Sequence, residues 1–101
     1  MPPAVLSPRA RSDLLAAIRW IAKDNKAAAQ GLRKAVIASA ERIGIHPGIG
    51  IERPDYTTQR LRFLSLTGYP YIIAYDAELS PPQILRILHG ARDIPSVLGR
   101  I

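Results

Sequence analysis

Apolar residues recur at two different periods along the chain, and the change of period divides it into a helical first half and a strand-rich second half. Between residues 9 and 23, Ala10, Leu14, Ala17, Ile18 and Ile21 fall at the spacing of an amphipathic helix, flanked by Leu15 and Ala22. Ser7 supplies an N-cap hydroxyl and Pro8 a first helical residue whose missing N–H needs no partner there. Ala4-Val5-Leu6 ahead of them reads as a short strand. Asp24-Asn25 interrupts the pattern, and Asn25 caps a second helix that opens with Lys26-Ala27-Ala28-Ala29. Ala28, Leu32, Ala35, Val36, Ser39 and Ile43 mark its apolar face, and Gly44 is placed as the C′ residue that ends it. So short a connection predicts an antiparallel αα-hairpin. Gly31 weakens the second helix and suits close packing.

Residues 45–55 carry two prolines and two glycines, which excludes regular helix and predicts an extended loop. Three strands are then predicted, at 60–66, 70–75 and 83–89, the first two joined closely enough for an antiparallel hairpin. The tail from Ile94 has room for one short helical turn after Pro95. The order is β-α-α-β-β-β in a single domain, 1–101, of the α+β class: a helical hairpin packed on a small, largely antiparallel sheet.

Charge narrows the partners. Fourteen Lys and Arg against eight Asp and Glu give a formal charge of +6, and eleven of the cations are Arg. Arginine pairs bidentately with phosphates and carboxylates, so RNA, DNA or an acidic protein segment is a fitting partner, beside the plainer reading of a solvated basic surface. With no cysteine, disulfides and thiolate metal sites are excluded and a reducing cytoplasm is expected. No secretory leader is recognisable, and no apolar run approaches the about 20 residues of a spanning helix, so no membrane association is expected.

Enzyme signatures are scarce. The sequence has no Walker-type loop, no His-Glu-x-x-His and no Gly-x-Ser-x-Gly, and Gly48-Ile49-Gly50 follows a proline loop rather than a strand. The two histidines, His46 and His89, have no metal-ligand spacing to carboxylates, so neither metal nor cofactor is expected. His89 closes the last predicted strand on the face of Leu85 and Ile87, as a packed histidine or as a proton-transfer group. Arg62 alternates with Leu64 and Leu66, and Arg86 with Ile84 and Leu88. Both either cover a sheet face with their stems or join Arg92 in a cationic patch for phosphate or acidic peptide. Trp20 and Ile37 fall opposite the apolar faces of their helices, either packed against the tail and a neighbouring helix edge or left as an apolar patch for a partner. Tyr71 and Tyr75 share one strand face, which could stack on bases only if open to solvent.

Read together and in order, Leu6-Ser7-Pro8-Arg9-Ala10 with Asp13-Leu14, Trp20-Ile21-Ala22 with Asn25, His46-Pro47-Gly48 with Gly50, Leu61-Arg62, Tyr69-Pro70-Tyr71-Ile72-Ile73-Ala74-Tyr75 and Ile87-Leu88-His89-Gly90-Ala91-Arg92-Asp93-Ile94 resemble the RelE/ParE toxin superfamily, and its ParE-type members most closely. The resemblance implies a bacterial, cytoplasmic toxin of a type II toxin-antitoxin system, which causes growth arrest and forms a hetero-oligomer with a cognate antitoxin. ParE-type members inhibit DNA gyrase without known catalysis. RelE-type members are metal-free endoribonucleases that cut mRNA on the ribosome, and would require Arg62, His89 and Arg92 as catalytic groups. No lysine follows Lys34, and the tail from Asp93 to Leu98 holds no tyrosine or histidine. The binding inhibitor is therefore preferred, with Arg62, Arg86, His89 and Arg92 facing the target and Trp20, Arg33 and Ile37 the antitoxin. A non-toxic homologue acting in co-repression is the remaining alternative.

Overall fold

The computed structural model describes residues 2–99. β1 (Val5–Leu6) leads into α1 (Pro8–Ala22) and α2 (Lys26–Ile45). A 3-10 turn at Pro47–Ile49, β2 (Ile51–Glu52), β3 (Arg62–Ser65), β4 (Tyr71–Asp76), β5 (Gln83–His89) and α3 (Ile94–Leu98) follow. The strands form one sheet in the order β1-β5-β4-β3-β2, antiparallel except for the outer β1–β5 pair. This is the α+β arrangement expected, with one addition inside the proline loop. Pro47 opens the 3-10 turn, and Ile51 and Glu52 then pair with Phe63 and Arg62. A two-residue strand is too short for alternation to register, which is why the sequence pattern misses it.

Both helix starts are built as the sequence requires. The Ser7 hydroxyl accepts from the Ala10 N–H at 3.1 Å and donates to the Leu85 carbonyl at 3.1 Å, so one side chain caps α1 and ties it to β5. Asn25 accepts from the Ala28 N–H at 3.0 Å. The end of α2 differs from expectation: the helix runs through Gly44 to Ile45. Gly44 is needed for closeness rather than for a left-handed turn, because a Cβ there would strike the backbone of Pro2 and Pro3. Gly31 does the same service against the Tyr69 hydroxyl, which donates to the Ala28 carbonyl at 2.9 Å.

The sheet has two apolar faces. Leu32, Val36 and Ile43 of α2 and Ala10 and Ala17 of α1 bury one of them, meeting Tyr71, Ile73, Tyr75, Ile84 and Ile87. The other, formed by Leu61, Phe63, Ala74 and Leu88, is covered by Ile94 and Leu98 of α3, with Tyr56 edge-on to Phe63 at 5.2 Å. Both Tyr71 and Tyr75 are thus buried under the helices, and the open face that base stacking needs is absent at these positions. A bulge in β5 corrects the strand alternation read from sequence. Tyr75 pairs with Ile84 but Ala74 with Arg86, so Leu85 has no partner and every later residue changes face. Leu85 consequently packs with the α3 side while Ile84 and Ile87 pack with the helices.

The outer edge of β5 is the place where the fold is closed by a side chain instead of a strand. β1 stops at Leu6, and α1 then turns Asp13 onto that edge. Asp13 Oδ2 accepts from the Ile87 N–H at 2.9 Å and from Arg86 Nε at 2.8 Å, while Oδ1 accepts from Arg86 Nη2 at 3.2 Å. The pair is almost wholly buried. Arg86, expected to face a target, is instead an internal cation neutralised by Asp13, and it is withdrawn from the target-facing set.

A second polar knot fixes the loop after α2. The Tyr75 hydroxyl donates to the Pro47 carbonyl at 2.7 Å and accepts from the Gly50 N–H at 2.8 Å, while Arg62 Nη1 donates to the Gly50 carbonyl at 2.7 Å. Burial raises the Tyr75 pKa above its ordinary value, opposed in part by the Gly50 N–H and by nearby Arg62.

Two outcomes are expected. Asp13→Ala leaves Arg86 buried without its counter-charge and should cost about 3–5 kcal/mol in urea unfolding, much of it recovered in the double variant Asp13→Ala/Arg86→Met. Tyr75→Phe strands the Gly50 N–H and should cost about 1–3 kcal/mol. Because the Tyr75 pKa is raised on folding, its contribution is complete below the unfolded tyrosine pKa of about 10 and is lost as pH rises through the folded value. The alkaline fall in stability should therefore be shallower in Tyr75→Phe.

Candidate functional site

α1 stands as a wall with a cleft on each flank. The first lies between α1 and the C-terminal end of β5 and holds about 200 Å³. Asp13, Ala16, Ala17 and Trp20 form its helical side, and Tyr71, Ile87, His89 and Arg92 the other. The residues 89–92 form its rim through a tight turn. The Arg92 N–H donates to the His89 carbonyl at 3.1 Å, the Ala91 N–H to His89 Nδ1 at 3.1 Å, and the Gly90 N–H to the Pro70 carbonyl at 2.8 Å. Tyr71 meets the His89 ring edge-on, with centroids 5.2 Å apart. Trp20 is 69% exposed, and the Lys23 ammonium lies 5.1 Å from its ring centroid. The described part of the tail, to Gly99, does not cover it, and of the two readings of the sequence the exposed one holds among the described residues.

On the opposite flank, Leu6, Arg11, Leu14, Leu15 and Arg33 line a second cleft of about 380 Å³. Ile37 lies one turn beyond Arg33 on α2 and is 51% exposed. An apolar floor rimmed by two guanidinium groups can seat an amphipathic helix with acidic edges. The three residues assigned to an antitoxin are thereby divided: Arg33 and Ile37 belong with this cleft, and Trp20 with the other.

The cations assigned to a target are divided as well. Arg62 pairs in register with Tyr75, whereas His89 pairs with Tyr71 at the opposite end of β4. At the rise of a strand the two stations are roughly 13 Å apart. Arg62 is half-buried, lines a separate cleft with Glu52, Arg60 and Glu78, and already serves the Gly50 carbonyl. His89 and Arg92 are brought together. The triad Arg62, His89 and Arg92 is not assembled around one scissile phosphate, and Arg86 is taken by Asp13. Among the described residues no cluster of three or more His, Asp or Glu forms a cage for a metal ion.

Two functional positions escaped the sequence reading. Arg11 carries no signal in the sequence pattern, and its place beside Arg33 depends on how α1 crosses α2. Asp13 had a usable signal, since it is the sole acidic residue before Asp24 in a strongly basic chain. A lone carboxylate amid surplus arginine is a natural internal counter-ion.

Comparison with known proteins agrees with this geometry. A search of curated proteins finds no match. Among solved structures, a chain of the chromosomal ParDE TA system from P. aeruginosa superposes with a TM-score of 0.69 at 20% identity, over 88% of this chain and 96% of that one. At that identity the likeness establishes the fold. The family model for the ParE toxin of the type II toxin-antitoxin system, parDE, matches residues 4–94. That span runs from β1 to the first residue of α3 and includes both clefts, and it shows that the chain belongs to the ParE toxin family of type II toxin-antitoxin systems.

Proposed function

We propose that this ParE-family chain arrests bacterial growth in the cytoplasm by binding DNA gyrase, with no catalysis of its own, and that a cognate antitoxin silences it by covering the helical hairpin. The observation that carries the binding reading is the dispersal of the cationic groups. Metal-free cleavage of RNA needs a proton-transfer group and several cations converging on one phosphate. Of the four groups assigned to a target, Arg62 is engaged at one end of the sheet, Arg86 is neutralised inside it, and His89 and Arg92 alone share a cleft. An inhibitor that works by contact has no such requirement, and a polar, arginine-bearing surface suits it. His89 and Arg92 are the target-facing residues this reading retains, with Arg62 as a separate contact.

For the antitoxin, the cleft of Leu6, Leu14 and Leu15 is the better seat. Its apolar floor continues toward Ile37, and Arg11 and Arg33 stand ready for acidic residues. A segment that folds on binding gives up about 2–5 kcal/mol in ordering, so the contact has to extend along the hairpin beyond one cleft.

The gyrase reading is tested with purified components. Saturating toxin should abolish gyrase supercoiling, and His89→Ala/Arg92→Ala should raise the concentration needed by about tenfold, equivalent to 1.4 kcal/mol. Unchanged supercoiling at saturation would remove gyrase as the target. For the antitoxin, Ile37→Asp should weaken the complex by about tenfold or more in calorimetry, whereas Trp20→Ala should change it by less than about threefold. The reverse order would move the antitoxin to the Trp20 cleft.

A further inference from the structure

We propose that the cleft between α1 and the end of β5 binds a nucleotide: a phosphomonoester held by Arg92 and His89, with its planar base laid against Trp20. The inference goes beyond the toxin reading and does not depend on which machine the protein arrests.

It starts from the balance of donors and acceptors. The cleft contains one carboxylate, Asp13, and both of its oxygens are already occupied by Arg86 and the Ile87 N–H. Every other polar side chain lining it can donate. Among the described residues Arg92 makes neither an ion pair nor a side-chain hydrogen bond, and it is exposed at the rim. His89 Nδ1 accepts from the Ala91 N–H, which places the proton of the neutral ring on Nε2 as a donor. Among the described residues the Tyr71 hydroxyl has no hydrogen-bond partner and no side-chain polar atom is buried without one, so that hydroxyl reaches solvent. A site whose one carboxylate is already engaged, and that offers a guanidinium, an imidazole N–H and a phenolic hydroxyl as donors, selects an anion.

The geometry favours phosphate over carboxylate. A carboxylate presents two oxygens in one plane, which the guanidinium fork of Arg92 alone could satisfy. A phosphomonoester presents three terminal oxygens in different directions, and the cleft supplies three donors from three places: Arg92 past the turn, His89 at the strand end and Tyr71 on the neighbouring strand. The rest of the ligand is read from Trp20. Among the described residues the indole is the most exposed large apolar side chain, at 69%, and it stands at this cleft. Aromatic faces of this kind stack on nucleobases without regard to sequence. Lys23 lies over one face of the ring, so the base takes the other face and the ammonium adds a second cation for an anionic ligand. At about 200 Å³ the cleft is smaller than a typical enclosed ligand pocket, so the sugar and part of the base remain in solvent and binding is modest.

Trp20 is the single tryptophan of the chain and reports on the site directly. Adenosine monophosphate titrated at fixed ionic strength should quench its fluorescence saturably. By calorimetry inorganic phosphate should bind about tenfold more weakly, Arg92→Ala should weaken adenosine monophosphate about tenfold, and Arg60→Ala should change it less than about twofold. Arg60 is an exposed cation at a different cleft, and neither replacement touches the core. Absence of a saturable response overturns the proposal. Equal loss in Arg60→Ala would reduce it to diffuse charge, and equal affinity for inorganic phosphate would remove the base. Tighter binding of N-acetylphenylalanine than of the nucleotide would make the cleft a peptide carboxylate site instead.

Discussion

A buried carboxylate does the work of a missing strand in this protein. β1 runs alongside β5 for only two residues, and beyond Ile84 the edge of β5 would present an unpaired N–H and a buried arginine. Asp13 answers both at once, accepting from the Ile87 N–H and from Nε and Nη2 of Arg86. An unpaired backbone donor or a lone internal charge each has a large desolvation penalty, so the position of α1 on the sheet is strongly specified. Ser7 secures the same helix nearly two turns earlier by capping it and bonding the bulged residue Leu85. α1 is thus held at two points along β5, and the clefts on its flanks inherit their shapes from that placement.

The division of labour between the flanks follows from side-chain chemistry. One flank has leucines between two arginines and faces α2. The other has an exposed indole, a histidine and an exposed arginine at the end of β5. An apolar groove with a cationic rim and an aromatic shelf with anion donors suit occupants of different chemistry. A single helix registers both sites, and a disturbance at the Asp13–Arg86 pair would reach both.

Much of this was readable from residue order. Stripes of apolar residues in α1 and α2 became buried stripes, and the two N-caps formed as their sequences require, because helix periodicity and capping are local properties. The sequence resemblance named the same family that the match over residues 4–94 shows. What escaped was long-range or very short. β2 is two residues, and Gly44 looks like a helix terminator until Pro2 and Pro3 arrive against it. Alternation along β5 put Arg86 with Ile84 and Leu88 on one face, and a single unpaired residue, Leu85, overturned that reading. The site suffered most, since its residues are gathered from α1, α2 and strand ends whose relative placement no local pattern encodes. His89 and Arg92 were found together because they belong to one turn, whereas Arg62, joined to them by chemistry alone, lies at the far end of β4.

We propose that this toxin acts by contact and does not cut RNA. Inducing the chain in bacteria while following plasmid superhelicity and mapping mRNA 5′ ends in the same culture tests it most directly. The account predicts relaxed plasmids, arrested growth and intact messages. Codon-linked mRNA cuts with normal superhelicity would contradict it, and would mean that a nucleolytic centre assembles from the dispersed cations on the ribosome.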